Sequence, residues 1–209
     1  MDKFLKKRPT EEEALALYKI KDIKKLTDIA SSLRDEGHRN IISFSRKIFI
    51  PLTKLCRDFC HYCTFAEKPK KQKTNYMTKE EVMELIKQGE KSGCKEALFT
   101  LGEKPEKRYR SAQKELERLG HKTTLSYLTE IAKLVISESS LLPHINAGTM
   151  SRRDLKRLRE VSVSQGLMLE SSSNRLTRKG GPHYGSKDKI PAIRLETIRL
   201  AGLEKIPLT

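Results

Sequence analysis

The sequence has no run of apolar residues approaching the roughly 20 that a membrane-spanning helix needs. Its start, MDKFLKKRPTEEE, also lacks the apolar core of a secretory signal. Both absences point to the cytoplasm and away from a membrane. Aromatic residues are scarce, at 6% of the chain, and they do not interleave with basic residues as they do on platforms that stack single-stranded nucleic acid. Lys and Arg nonetheless outnumber Asp and Glu by 43 to 27, a formal charge of +16. Such a charge attracts phosphates, nucleic acid or anionic membrane without choosing among them. The basic side chains are spread along helices, with one denser run at Lys68, Lys70, Lys71 and Lys73, and they read as a solvated face with no nucleic-acid partner. Internal repeats and low-complexity tracts are absent. Cysteines number only four, three of them within eight residues. In a chain without a secretory signal, that clustering points to a metal or to catalysis rather than to disulfides.

What is present is enough to fold. The 209 residues are 36% hydrophobic and 33% charged, polar for a globular domain but above the range where disorder is the default. Two helices come first. Thr10 and Glu13 form a capping box ahead of Ala14, Leu15, Leu17 and Ile20, and Ile23, Leu26, Ile29 and Leu33 then recur at helical spacing up to Gly37, read as the stop. Residues 1–40 are accordingly a helical extension and 41–209 the main domain. From residue 41, β-prone runs alternate with amphipathic segments, the pattern of βα units on a parallel sheet. Four units follow, with strands at Lys47 to Leu52, Glu96 to Leu101, about Leu141 to Ala147 and about Val161 to Leu169. Helices open at Thr78 and at Ser151, a long connection covers Tyr109 to Val135, and a Gly-rich loop from Ser171 to Lys189 precedes a helix at Pro191 to Ala201. Ile206 to Thr209 starts a fifth strand. A parallel strand expects neighbours on both sides, so the expectation is an α/β fold that forms part of a longer (β/α) barrel.

Strand one runs into Thr53-Lys-Leu-Cys56-Arg-Asp-Phe-Cys60-His-Tyr-Cys63, a C-x3-C-x2-C spacing at the C-terminal end of a strand, where βα barrels build their active sites. Three thiolates on a compact loop can take three corners of a 4Fe-4S cubane and leave the fourth iron open. A structural zinc ion would want a fourth protein ligand. Cys94 follows a helix some thirty residues on, His61 is poorly placed between two cysteines, and the usual second C-x2-C pair is missing. Spacing alone leaves cluster and zinc both open, the latter within a basic nucleic-acid module. Cys94 reads as a buried, inert thiol.

With Tyr62 as the aromatic of C-x3-C-x-aromatic-C, the loop resembles the motif of the radical S-adenosylmethionine superfamily. The longer strings FIPLTKLCRDFCHYCTF, LFTLGEKPE, LLPHINAGTMS, VSVSQGLMLES and GGPHYGSKDKIPAIRLETIRLAG resemble one of its families, subunit 1 of 7,8-didemethyl-8-hydroxy-5-deazariboflavin (FO) synthase, over nearly everything from residue 42. The resemblance implies a partial TIM-like barrel, a 4Fe-4S cluster on Cys56, Cys60 and Cys63, and S-adenosylmethionine as cofactor. Gly102 and Glu103 match the element that receives the amino group of S-adenosylmethionine. Glu170 is assigned to its ribose or amino-acid part, with Tyr62, Asn146 and Ser171 beside it. His144, His183 and Tyr184 are candidates for the substrate.

The implied reaction is hydrogen abstraction by a 5'-deoxyadenosyl radical from a tyrosine-derived adduct of a ribityl-uracil, with ring closure and ammonia loss, which makes the enzyme a lyase of coenzyme F(420) biosynthesis. The implied partners are a second radical subunit that makes the adduct and a reductant such as ferredoxin or flavodoxin. A related radical enzyme with another substrate is the alternative. Where that family continues beyond IPLT, this chain stops, so a weakened cofactor site and an exposed strand edge are expected of it, and the short N-terminus favours a separate subunit over a fused one.

Overall fold

Four short parallel strands form one sheet in the computed structural model, which describes residues 9–69 and 74–209. Lys70, Lys71 and Lys73 of the basic run lie outside the described residues. The strands are β1 (Lys47–Ile50), β2 (Glu96–Thr100), β3 (Leu142–Asn146) and β4 (Ser164–Gln165). They are paired in chain order, and the register runs Phe49 to Leu98, Leu98 to His144 and His144 to Ser164. Leu208 adds a parallel bridge to Gln165, and Thr209 and Gln165 exchange a further backbone bond. The last residues thus begin a fifth strand beside β4.

Helices connect every strand to the next, as parallel pairing requires. They are α3 (Lys79–Lys91) after β1, α4 (Arg110–Arg118) and α5 (Thr124–Glu138) after β2, α6 (Arg152–Arg159) after β3, and α7 (Pro191–Leu203) after β4. Capping sets where they start. Thr78, Thr123 and Ser151 each accept a backbone N–H from the third helical residue, which returns a bond to the cap. One sheet face is dry: Ile50, Ala97, Phe99 and Ile145 pack with Val82 and Ile86 of α3, Leu128, Ile131 and Val135 of α5, and Leu155 and Leu158 of α6. The opposite face carries Phe49, Leu98 and His144 in one row and the Lys47–Glu96 ion pair, 2.6 Å, in the next.

The chain divides into two compact units, one up to Phe44 and one from Ser45 to Thr209. In the first, α1 (Glu11–Ala16) starts at the Thr10–Glu13 capping box and continues as a 3-10 turn, Leu17–Lys19, and α2 (Ile23–His38) starts at Asp22. Neither helix buries a residue.

Three sequence readings are corrected. Gly37 does not stop the second helix, which runs on to His38. The chain turns instead at Arg39, whose φ is 55° and whose N–H bonds the Asp35 carbonyl. The fourth strand is far shorter than Val161 to Leu169, because Val161 still belongs to the turn closing α6, its N–H on the Leu158 carbonyl. His144, read as a candidate for the substrate, does not reach the rim. It sits in the middle of β3, one pleat below Asn146.

Candidate functional site

The cysteine loop is tied at both ends before any metal is considered. Thr53, at the end of β1, accepts the Gly102 N–H on its carbonyl (2.9 Å), while its hydroxyl bonds the Asn75 carbonyl (2.7 Å) and accepts the Leu55 N–H (3.2 Å). Glu67 N–H returns to the Lys54 carbonyl at 2.9 Å and closes the loop. Gly102 is where β2 meets it, and a Cβ there would stand 1.8 Å from the Leu55 carbonyl oxygen, so only glycine lets the two backbones approach. Arg57 N–H bonds the Glu103 carbonyl at 2.9 Å. The Arg108 guanidinium lies over the Phe59 ring, 3.3 Å from its centroid, and reaches the carbonyls of Cys56 and Arg57.

The Gly-rich segment from 171 to 189 closes over this loop. His61 N–H bonds the Pro182 carbonyl (2.9 Å), the Tyr62 hydroxyl pairs with His183 Nε2 (2.9 Å), Phe59 N–H bonds Ser186 Oγ (2.9 Å), and Arg57 forks onto Asp188. Under the loop, Asp58, Glu103 and Asp188 bring carboxylate oxygens within 4.8 Å of one another, all three residues buried. Arg57, Lys104 and Arg194 face them: Lys104 Nζ is 3.3 Å from Glu103 and 3.6 Å from Asp188, and Arg194 is 3.7 Å from Glu103. Glu103 and Asp188 are thus ion-paired in a network that supports the loop, while Asp58 accepts the Asp188 N–H on one oxygen (3.3 Å) and keeps the other buried without a partner among the described residues. Burial raises the Glu103 and Asp58 pKa values. Burial also works to raise Asp188, but the Arg57 guanidinium, with Lys104 and Thr149, outweighs it and holds that carboxyl below its usual range.

Cys56, Cys60 and Cys63 are free thiols, and each sulfur meets a hydrogen-bond donor group. Glu103 N–H points to Cys56 Sγ (3.3 Å), Ala66 N–H to Cys63 Sγ (3.4 Å), and Ser186 Oγ lies 3.7 Å from Cys60 Sγ. Such donors suit thiolate ligands. Burial pushes the Cys56 thiol up to about 11, so deprotonation there needs a metal to compensate it. A structural zinc ion would want a fourth protein ligand beside the three thiols. A 4Fe-4S cubane takes three thiolates and leaves one iron open, and this donor set fits it. Cys94 is half-buried against the core just before β2, at the opposite end of the sheet from the loop.

The other residues singled out in the sequence divide. Asn146 ends β3, and its side chain makes no hydrogen bond among the described residues, which leaves it available to a ligand. Glu170 holds a φ of 64° and pairs with Lys189 Nζ at 2.6 Å, a backbone conformation uncommon outside glycine. Burial favours a higher Glu170 pKa, but Lys189 outweighs it and the pKa is lowered. The Glu103 carboxylate is taken up by Thr149, whose N–H bonds it at 2.6 Å, and by Lys104 and Arg194. The Ser171 hydroxyl accepts from Ser173 N–H within its own turn (3.0 Å). His183 is buried against Tyr62, while Tyr184 is exposed. His144 is buried away from the rim and bonds Ser164 (2.7 Å). The sequence reading passed over Arg57, Asp58, Lys104, Thr149, Ser186, Asp188 and Arg194. Their only advance signal was the density of polar residues in the two loops.

Residues 50–202 match the Radical SAM superfamily, and the chain belongs to it. Members of this superfamily use a 4Fe-4S cluster and S-adenosylmethionine. The chain is 42% identical over 210 residues to the FO synthase of Streptomyces avermitilis, covering 96% of this chain and 24% of that protein. It is 48% identical over 176 residues to the FO synthase of Mycobacterium tuberculosis strain H37Rv, covering 82% and 21%. To the 7,8-didemethyl-8-hydroxy-5-deazariboflavin synthase of Methanopyrus kandleri it is 42% identical over 169 residues, covering 81% and 51%. The chain therefore spans between about a fifth and a half of the length of these relatives. Methylornithine synthase (PylB) superposes with a TM-score of 0.71 at 20% identity, covering 99% of this chain and 56% of that one, and the hydrogenase maturase HydG from Carboxydothermus hydrogenoformans with 0.60 at 24%, covering 83% and 36%. These two likenesses show the fold alone: helices around part of a parallel barrel. No helix among the described residues is long and apolar enough to cross a membrane.

Proposed function

We propose that this chain supplies the radical-generating site of an FO synthase, with residues 1–40 as a helical extension and 41–209 as the core. The observation that carries the reading is the loop of three free thiols, each facing a hydrogen-bond donor, at the rim of a parallel sheet in a chain 42–49% identical to FO synthases. Cys56, Cys60 and Cys63 hold the 4Fe-4S cluster. Bound together, the cluster and S-adenosylmethionine supply a 5'-deoxyadenosyl radical.

The chain's own residues position and shield. Gly102 opens backbone acceptors to the amino group of S-adenosylmethionine, and Asn146, Glu170 and Ser171 line the rim for its ribose and amino acid. Tyr62, locked on His183, covers the loop. His183 and Tyr184 lie in the segment nearest an incoming substrate, the adduct of tyrosine and a ribityl-uracil. A second radical subunit provides that adduct, and a ferredoxin or flavodoxin provides the electron. The overall reaction is a lyase reaction that closes the deazaflavin ring and releases ammonia. Anaerobic turnover with a reductant and the adduct-forming partner is expected to yield 5'-deoxyadenosine and a fluorescent deazaflavin together. Formation of 5'-deoxyadenosine with no deazaflavin would discard the substrate assignment and keep the radical chemistry.

A further inference from the structure

The three sulfurs of the cysteine loop differ in where their donors come from. Cys56 and Cys63 are served by backbone N–H groups, of Asp58 and Glu103 at Cys56 and of Ala66 at Cys63, which no side-chain substitution removes. Cys60 is served by a side chain 126 residues away in sequence, Ser186, with Oγ 3.7 Å from Sγ. Ser186 is 3% exposed, and its backbone is fixed by N–H bonds from Ser186 to the His183 carbonyl and from Lys189 to the Ser186 carbonyl.

A hydroxyl has one proton to give and lone pairs to receive. Here a lone pair is already used, since Phe59 N–H donates to Ser186 Oγ at 2.9 Å, so the hydroxyl proton is free to turn elsewhere. A cysteine that ligates iron carries no proton of its own. Of the two groups in the Ser186–Cys60 contact, only the serine can then donate.

Resting on the cluster reading above, we propose that Ser186 is a positioning residue of the radical site: its hydroxyl donates to the Cys60 thiolate and raises the reduction potential of the cluster, while accepting from Phe59 to hold that sulfur in place. The physical cause is charge. A hydrogen bond to a ligand sulfur draws off negative charge and favours the reduced, more negative cluster, and a buried donor acts with little screening by solvent.

The test is a redox titration of the reconstituted protein, followed by the electron paramagnetic resonance of the reduced cluster, for the unmodified chain, Ser186→Ala and Ser186→Thr, with iron content measured on each. The expected result is equal iron in all three, a midpoint potential shifted to more negative values in Ser186→Ala, and recovery of the original potential in Ser186→Thr. An unshifted potential in an iron-replete Ser186→Ala overturns the proposal and leaves the cluster reading standing, whereas absence of iron from the unmodified protein removes the cluster reading itself. Should the alanine variant unfold or lose its iron, exchangeable-proton hyperfine couplings of the unmodified reduced cluster, recorded in water and deuterium oxide, decide the matter. A hydroxyl coupling beyond those of the backbone amides supports the donor, and its absence overturns it.

Discussion

Gly102 and Gly148 show how tightly single residues are constrained at the rim. At Gly148 the φ is 78°, and a Cβ would stand 2.4 Å from the Glu103 carboxylate. At Gly102 the obstacle is a backbone carbonyl 1.8 Å away, which no rotamer change can relieve. Gly102→Ala is therefore expected to push the cysteine loop off β2, lowering stability by about 1–3 kcal/mol and reducing iron uptake. Chemical denaturation and iron analysis check the two effects separately. His144 has a different constraint. Burial, helped by the Lys47 charge, lowers its pKa from 6.5, so the unfolded chain takes up the proton first as pH falls. The stability associated with neutral His144 is complete above the unfolded value and is lost as pH falls from there through the lowered folded value. Urea midpoints at pH 7.5 and pH 5 are expected to fall further in the unmodified protein than in His144→Gln. An equal fall in both would assign the acid sensitivity to other groups.

Three helix starts were legible through a reciprocal cap, whereas that of Thr123 was missed and α7 was read from Pro191, which has none. Thr10 with Glu13, Thr78 with Glu81, and Ser151 opening α6 could be read from the sequence because the cap and its partner lie three residues apart on the same chain. Thr78→Ala is expected to cost about 1 kcal/mol, a fall in Tm of about 2–4 °C for a chain of this size, measurable by thermal scanning. Signals that depend on distant partners misled. The apolar alternation through VSVSQGLML reads as one strand, yet only Ser164 and Gln165 hold strand geometry, since the stretch also contains the end of a helical turn and the rim leading to Glu170. Gly37 reads as a stop because glycine is the usual left-handed cap, but the helix runs past it and the chain turns at Arg39, at φ 55° and ψ −146°. At this scale the three cysteines were legible from spacing, while the segment that clamps them was not. Ser186 and Asp188 contact the loop across 126 and 131 residues, and short polar side chains in a loop leave no periodicity to read.

Across the whole molecule, the apolar layer and the polar rim divide the work. The layer of Phe99, Ile145, Ile131 and their neighbours fixes the sheet, and the sheet brings the ends of β1, β2, β3 and β4 to one edge, where loops distant in sequence meet. The four βα units followed from alternating patterns. The pairing of Glu103 and Asp188 with Arg57, Lys104 and Arg194 did not, because charge balance inside a rim depends on which loops close together. That network keeps the thiol loop in place. The basic surface implied by a net charge of +16 plays no part in it.

All of this serves one claim, that Cys56, Cys60 and Cys63 together hold a single iron–sulfur cubane. Iron and acid-labile sulfide, measured after anaerobic reconstitution of the unmodified chain and of a variant with all three cysteines replaced by serine, test it most directly. The account predicts about four irons per chain in the first and none above background in the second. Equal iron in both, or one tightly bound zinc and no iron in the unmodified protein, would contradict it.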